Sequence, residues 1–316
     1  MANLEAPRKG FADALIRLGE RHDNLVVLDA DCAKSNMTNL FKNRFPERFF
    51  NIGISECDLV GTAAGMAIAG KVPFANAYAN FLTGRAFDQM RISVCYSNNN
   101  VKIVGHNAGT SAAQEGATHL PLEDISLMRS LPRMTVIVPA DAVEMEKAVE
   151  AAYYHEGPIY LRVGKLPVPI VTKKEEPFEI GKAIKYREGS DITIISTGIM
   201  LDESLKAVEE LEKQGVSAEL LHIHTIKPID REAIVASAAK TKNVISVEEH
   251  SIIGGLGSAV AEVLSENQPA KLRRIGTNDR FGVSGKMDEL LDLFELRAHR
   301  IVSTANELLG EKVNSW

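Results

Sequence analysis

Short apolar segments of strand length alternate with segments of helical spacing along most of this 316-residue chain. The run Leu-Val-Val-Leu at 25–28 is apolar at every position, whereas Phe11, Leu15 and Leu18 recur at helical spacing. A strand without polar positions is buried on both faces, as strands are in parallel sheets that helices cover. The pattern therefore predicts an α/β fold, a parallel sheet with helices on both faces.

The same spacing predicts where the individual elements lie. Strands are predicted at 24–29, 101–104, 135–138, 159–162, 191–196, 218–223 and 243–248. Helices are predicted at 6–20, 58–69, 86–95, 122–130, 140–153, 201–214, 230–239 and 257–264.

A connector rich in proline and charge interrupts this pattern at residues 165–182. Such a composition is typical of a linker, because proline and clustered charge disfavour regular buried elements. A second α/β pattern follows it. We therefore predict two domains, a larger one at 1–172 and a smaller one at 173–316.

Composition excludes several classes of protein. The net charge is −6 and no Lys/Arg cluster is present, which argues against nucleic-acid partners. No run of about 18 apolar residues is present, which argues against a membrane span. The three cysteines lie far apart without a C-x-x-C pair, so we expect a reducing, cytoplasmic location and neither disulfides nor a zinc site.

One carboxylate, Glu56, stands near the start of a helix that is built from small and apolar residues at 61–70. Two interpretations of it are open. The helix dipole stabilises a first-turn glutamate, with Ser55 as N-cap. Alternatively, because a charge on a closely packed apolar helix is costly to bury alone, Glu56 is shared with a buried partner.

Several motifs together carry a family resemblance, and their order along the chain makes it specific. They are Asn-Ile-Gly-Ile-Ser-Glu (51–56), Thr-Gly-Arg-Ala-Phe-Asp-Gln (83–89), Glu-Gly-Ala-Thr-His (115–119), Ser-Leu-Pro-Arg-Met-Thr-Val-Ile-Val-Pro-Ala-Asp (130–141), Thr-Ile-Lys-Pro-Ile-Asp (225–230), Glu-Glu-His (248–250) and Gly-Gly-Leu-Gly (254–257). The chain resembles thiamine-diphosphate enzymes of the transketolase type over nearly its whole length. The resemblance implies a pyrimidine-binding domain, a parallel sheet with helices on both faces, followed by a smaller α/β transketolase C-terminal domain.

The Gly-Asp-Gly…Asn motif that holds the cofactor's diphosphate and metal in this family is absent from the sequence. The glycine cluster at 254–257 is predicted to be a helix–strand packing turn rather than a phosphate cradle. The resemblance therefore implies the C-terminal subunit of a split, two-chain transketolase, which binds no metal itself. An N-terminal partner subunit would bind the diphosphate and a Mg or Ca ion, in an α2β2 heterotetramer that is active only when assembled.

The resemblance also implies roles for residues around the cofactor, in a reaction that moves a two-carbon ketol unit from a ketose phosphate to an aldose phosphate. Glu56 matches the glutamate that hydrogen-bonds the pyrimidine ring of thiamine diphosphate and so helps to remove the thiazolium proton. Tyr78 and Phe81 match aromatic residues against that ring, and Asp31 matches an acidic residue near the cofactor. His119 matches a histidine that contacts the ketol hydroxyls and is suited to polarise a carbonyl or move a proton.

The implied sugar-phosphate contacts are Arg8, Ser35 and Arg162, which supply two cations and a hydroxyl. Two further positions depart from the family pattern. Asn107 stands where the family has a histidine, unless a one-residue shift puts His106 there.

The second departure is Glu115, which stands where the family has aspartate. Because both departures fall where sugar hydroxyls and phosphate bind, we expect a non-standard sugar, such as a sulfonated, deoxygenated or branched one.

Two rival functions remain open. One is the β chain of a 2-oxo acid dehydrogenase decarboxylating component, and the other is a non-catalytic scaffold subunit.

Overall fold

The computed structural model describes residues 3–310. The strands are β1 Leu4–Glu5, β2 Leu25–Asp29, β3 Phe49–Asn51, β4 Val72–Tyr78, β5 Lys102–His106, β6 Thr135–Ile137, β7 Ile159–Val163, β8 Val168–Pro169, β9 Ile184–Arg187, β10 Ile192–Ser196, β11 Ala218–His222, β12 Thr225–Lys227, β13 Asn243–Ser251 and β14 Lys271–Thr277. The helices are α1 Pro7–Arg21, α2 Ala33–Asn36, α3 Asn39–Arg44, α4 Glu56–Ile68, α5 Ala79–Arg85, α6 Phe87–Gln89, α7 Asp124–Ser130, α8 Ala142–Tyr154, α9 Met200–Lys213, α10 Arg231–Thr241, α11 Leu256–Asn267, α12 Met287–Leu293 and α13 Ala298–Gly310.

The first sheet has seven strands in the order β12-β6-β7-β5-β4-β2-β3. All neighbours are parallel except β12, which pairs antiparallel with β6 at the edge. The central strands are buried along their length because helices pack on both faces. The predicted α/β architecture is confirmed, with the correction that residues 225–227 of the predicted second domain complete the first sheet.

The second sheet has five strands in the order β14-β13-β10-β11-β9, and only β9 runs antiparallel. A separate antiparallel pair joins β1 to β8. Asp141 fixes the end of the connector to the first domain, since its carboxylate accepts hydrogen bonds from the backbone N–H groups of Val171 and Thr172, each at 2.8 Å.

Several elements differ from the sequence-based prediction. The central strand β4 was not predicted, nor were β14, α12 and α13. The helix predicted at 86–95 is a short α-helix that continues as a π-helical segment at Met90–Tyr96. Helix α4 begins at Glu56, two residues earlier than predicted, and Ser55 makes no side-chain capping bond. No helix among residues 3–310 is long and apolar enough to cross a bilayer.

Candidate active site

Glu56 is the first residue of α4, and its side chain is only 4% exposed. Arg85, the last residue of α5, donates from Nη1 to both carboxylate oxygens at 3.1 and 3.2 Å. The guanidinium is 52% exposed, so a buried anion meets a cation that reaches into solvent. Sequence reasoning missed Arg85 as a partner, although the motif at 83–89 contains it.

An aromatic cluster lies beside this ion pair. The ring centroids of Phe81 and His119 are 4.8 Å apart, and Tyr78 lies 6.3 Å from Phe81 and 6.0 Å from His119. The Arg85 guanidinium carbon lies 4.2 Å from the centre of the Phe81 ring. The structure therefore brings together four of the predicted site residues, Glu56, Tyr78, Phe81 and His119, and Arg85 links the carboxylate to the rings.

Asp31 follows β2 at the carboxyl edge of the first sheet, where open α/β sheets bind ligands. The side-chain amide of Asn51 donates to Asp31 Oδ1 at 2.9 Å and belongs to the motif at 51–56. Burial raises the pKa of the nearby Cys32 thiol to about 12, and four carboxylates act in the same direction. These carboxylates are Asp29, Asp31, Glu56 and Glu115, which places Asp31 and Glu115 in the same region as Glu56.

A turn at 107–119 carries the predicted sugar contacts Asn107, Glu115 and His119. The Asn107 amide donates to both Glu115 oxygens, at 3.2 and 3.1 Å. Lys165 pairs with the same carboxylate, a contact that sequence reasoning missed. The two departures from the family pattern, Asn107 and Glu115, are thus hydrogen-bonded to each other, and Lys165 pairs with the carboxylate.

Hydrogen-bond partners, not burial, distinguish His106 from Asn107, since both residues are buried. His106 is buried, its Nε2 lies 2.9 Å from Asn76 Oδ1, and its ring packs edge-on against Phe11. Burial lowers the pKa of His106 to about 3. The side chain of Asn107, not that of His106, therefore contacts Glu115.

Arg8 and Ser35 also meet in the structure. Arg8 Nη1 donates to the backbone oxygen of Ser35 at 2.7 Å. The backbone N–H of Arg8 donates to the backbone oxygen of Gly164, the residue before Lys165, at 3.3 Å. The Arg8 Nε is buried and has no hydrogen-bond partner among residues 3–310. The backbone of Arg8 thus adjoins Gly164, the residue before Lys165, and Ser35 contributes its backbone oxygen rather than its hydroxyl to Arg8.

Arg162, a predicted phosphate contact, has buried partners inside the protein. Its side chain is 6% exposed and bonds Asp124 through Nε at 2.8 Å and Glu249 through Nη1 at 3.1 Å. It also donates to the backbone oxygen of Glu249 at 3.1 Å. Because two buried carboxylates already engage the guanidinium, Arg162 joins the two domains, and this pairing disfavours the phosphate contact, which stays a prediction.

The glycine cluster at 254–257 wraps a carboxylate of this chain. Glu248 accepts hydrogen bonds from the N–H groups of Leu256 and Gly257, at 2.7 and 2.8 Å. The start of α11 is therefore filled by Glu248, which fits the predicted packing turn and leaves no room for a phosphate. Within residues 3–310 no cluster of three or more acidic, histidine or cysteine side chains is arranged to hold a metal ion.

Comparison with known proteins places this chain in a family. The model of the transketolase pyrimidine-binding domain matches residues 6–169, and that of the transketolase C-terminal domain matches 181–301. The chain belongs to the transketolase family. The predicted resemblance and fold class are therefore confirmed, whereas the boundary between 172 and 173 stays a prediction.

Similar proteins include chains that are named as transketolase subunits. The 6-deoxy-6-sulfo-D-fructose transketolase subunit of Clostridium sp. (strain MSTE9) is 42% identical over 96% of this chain and 95% of that protein. An apulose-4-phosphate transketolase subunit of Phocaeicola vulgatus is 37% identical over 97% of this chain and 98% of that protein. A solved structure described as a split gene transketolase, an inactive β4 tetramer, superposes with a TM-score of 0.90 at 45% identity, covering 96% of this chain and 98% of its own. These matches favour transketolase over the 2-oxo acid dehydrogenase alternative.

Proposed function

We propose that this chain is the C-terminal subunit of a two-chain, thiamine-diphosphate-dependent transketolase. The observation that carries the proposal is the buried Glu56 carboxylate, which Arg85 links to the ring cluster of Tyr78, Phe81 and His119. An apolar wall beside one buried acid suits a heteroaromatic ring that stacks and accepts or donates one hydrogen bond. The described residues thus fit the pyrimidine end of the cofactor.

When bound, thiamine diphosphate supplies a carbon nucleophile that attacks the ketose carbonyl. In this proposal the Glu56 carboxylate holds a proton at the pyrimidine ring, and the faces of Phe81 and Tyr78 exclude water from that ring. His119, in edge contact with Phe81, hydrogen-bonds the ketol oxygens and moves a proton there. In the structure Arg85 contacts both Glu56 and the face of Phe81, the two groups that the proposal assigns to the pyrimidine ring. Binding of the ring therefore displaces the half-exposed guanidinium into solvent.

The diphosphate end of the cofactor lacks a counterpart in the described residues. No metal-type cluster is present in the part of the chain from 3 to 310, and the start of α11 is filled by Glu248. We therefore propose that an N-terminal subunit binds the diphosphate with a Mg or Ca ion, in an α2β2 heterotetramer in the cytoplasm. The three free cysteines suit that compartment.

Reconstitution with an N-terminal subunit tests the proposal. We expect no ketol transfer from either subunit alone and full turnover from the mixture with thiamine diphosphate and Mg²⁺. A panel of ketose and aldose phosphates, with sulfonated and branched sugars added, identifies the substrates. Ordinary rates on xylulose and ribose phosphates, with no better substrate in the panel, would contradict the non-standard sugar.

Lys165 gives a sharper prediction about the substrate. It supplies positive charge near Asn107 and Glu115, so we propose that it binds the anionic end of the sugar. Replacing Lys165 with Met should raise KM for phosphorylated or sulfonated sugars by about ten-fold or more, because a charge-assisted hydrogen bond is lost. KM for an uncharged aldose should stay unchanged, and an equal rise for both classes would refute the assignment.

A further inference from the structure

Glu249 and Thr110 meet where the two domains join. The Thr110 hydroxyl donates to Glu249 Oε1, and the Glu249 carboxylate packs so closely on Gly109 that a Cβ there would collide with it. Thr110 and Gly109 belong to the turn at 107–119, whereas Glu249 lies on β13 of the C-terminal domain. From these contacts we propose that Glu249 and Thr110 are positioning residues through which the C-terminal domain holds the site's turn; this inference rests on the proposed function.

The turn is not a conformation that the chain would keep unaided. Asn107 has φ 55° and Ala113 has φ 51° with ψ −112°, both unfavourable for residues with a Cβ. Such backbone persists only where surrounding contacts over-determine it. Asn107 stands at the start of the turn and Glu115 and His119 towards its end, so the anchor at Thr110 lies between the side chains that it positions.

Other contacts from the C-terminal domain follow the same segment. The Ser284 hydroxyl donates to the backbone oxygen of Gln114, and a Cβ at Gly282 would lie 2.7 Å from Leu120. Further along, the Ser251 N–H donates to Leu122 O at 2.7 Å. The C-terminal domain thus clamps the turn on both sides of Glu115, and Glu249 is the charged member of that clamp.

The charge balance of the cluster argues that Glu249 does more than stabilise the fold. Two buried carboxylates, Asp124 and Glu249, face the single guanidinium of Arg162. One carboxylate would suffice to neutralise it, and the second adds a desolvation cost. That second carboxylate is the one that reaches across to Thr110. Replacing Glu249 with Gln leaves a neutral Arg162–Asp124 pair, so the variant retains a paired core and should fold.

The test uses the assembled two-chain enzyme with three variants of the anchor. Thr110→Val removes the hydroxyl at constant shape, Thr110→Ser keeps it, and Glu249→Gln removes the charge. We expect Thr110→Val and Glu249→Gln to speed amide hydrogen exchange across 107–120. Both should also lower kcat/KM for the sugars by about ten- to hundred-fold, because small displacements of positioned groups reduce the rate by that factor. Affinity for thiamine diphosphate should change much less than kcat/KM, since Glu56, Tyr78 and Phe81 lie outside the turn and His119 is the one member of that cluster on it.

Two variants separate this role from general destabilisation. Thr110→Ser should behave as the unmodified enzyme. Glu219 is another fully buried, ion-paired carboxylate of the C-terminal domain. Its replacement, Glu219→Gln, should change neither hydrogen exchange at 107–120 nor kcat/KM. The double variant of Thr110→Val with Glu249→Gln should lose no more than either single one, because the two residues act as a unit.

Three results would overturn the inference: ordinary kinetics in both Thr110→Val and Glu249→Gln, an equal loss in Thr110→Ser, or an equal loss in Glu219→Gln. Absence of ketol transfer in the unmodified complex is a different failure, that of the proposed function. In that case hydrogen exchange still decides whether Glu249 holds the turn, because exchange is measured on the chain itself.

Discussion

Replacing Glu56 with Gln is expected to remove most of the turnover of the assembled enzyme, by about two to four orders of magnitude. The amide has the shape of the carboxylate and still accepts a hydrogen bond from Arg85, so α4 and the neighbouring ring cluster should keep their geometry. What it cannot do is hold and return a proton. The loss should therefore fall on kcat, with little change in the thermal stability of the chain.

The measurement compares ketol transfer with exchange of the cofactor's thiazolium proton, followed by NMR in deuterated buffer. Both should slow together in Glu56→Gln, because the proposal places Glu56 in proton removal. Glu146→Gln supplies a matched control, since Glu146 is a glutamate of the same domain that pairs with Arg17 and makes no contact with the candidate site. Full turnover in Glu56→Gln would instead favour the scaffold subunit.

The fold could be predicted where the strands are apolar throughout, as at 25–28. The central strand β4 escaped prediction because Pro73 and Asn76 interrupt its apolar run. In the fold Asn76 is buried, and its side-chain amide donates to Leu28 O and Phe74 O at 3.1 and 2.8 Å. Leu28 O comes from the neighbouring strand β2, 48 residues away, so the local sequence could not show that the polar Asn76 is satisfied there.

The site shows the same limit. Glu56, Phe81, Glu115 and His119 were predicted from the family resemblance. The cations that pair with the two carboxylates were not predicted, because Arg85 lies 29 residues from Glu56 and Lys165 lies 50 residues from Glu115. Sequence position identifies a candidate side chain, whereas its ion pairs depend on which elements the fold places side by side.

Arg162 is the position where the contacts in the fold favour a role other than the predicted one, and it gives the largest expected effect on stability. Replacing Arg162 with Met should lower the free energy of unfolding by about 3–5 kcal/mol, because Asp124 and Glu249 would remain buried without their cation. Burial alone would raise the pKa of Asp124, yet the Arg162 charge holds it below its ordinary value. Urea and thermal unfolding of the isolated chain measure the loss.

Arg17→Met is the matched control, since Arg17 pairs with Glu146 at the surface and should contribute at most about 1 kcal/mol. Adding Asp124→Asn to Arg162→Met should recover part of the lost stability, because one buried unpaired charge is then removed. A stable Arg162→Met chain whose KM rises only for phosphorylated sugars would reverse this conclusion and restore the phosphate contact. The two interpretations of Arg162 thus separate cleanly, because one predicts a loss of folding stability and the other a loss of substrate affinity.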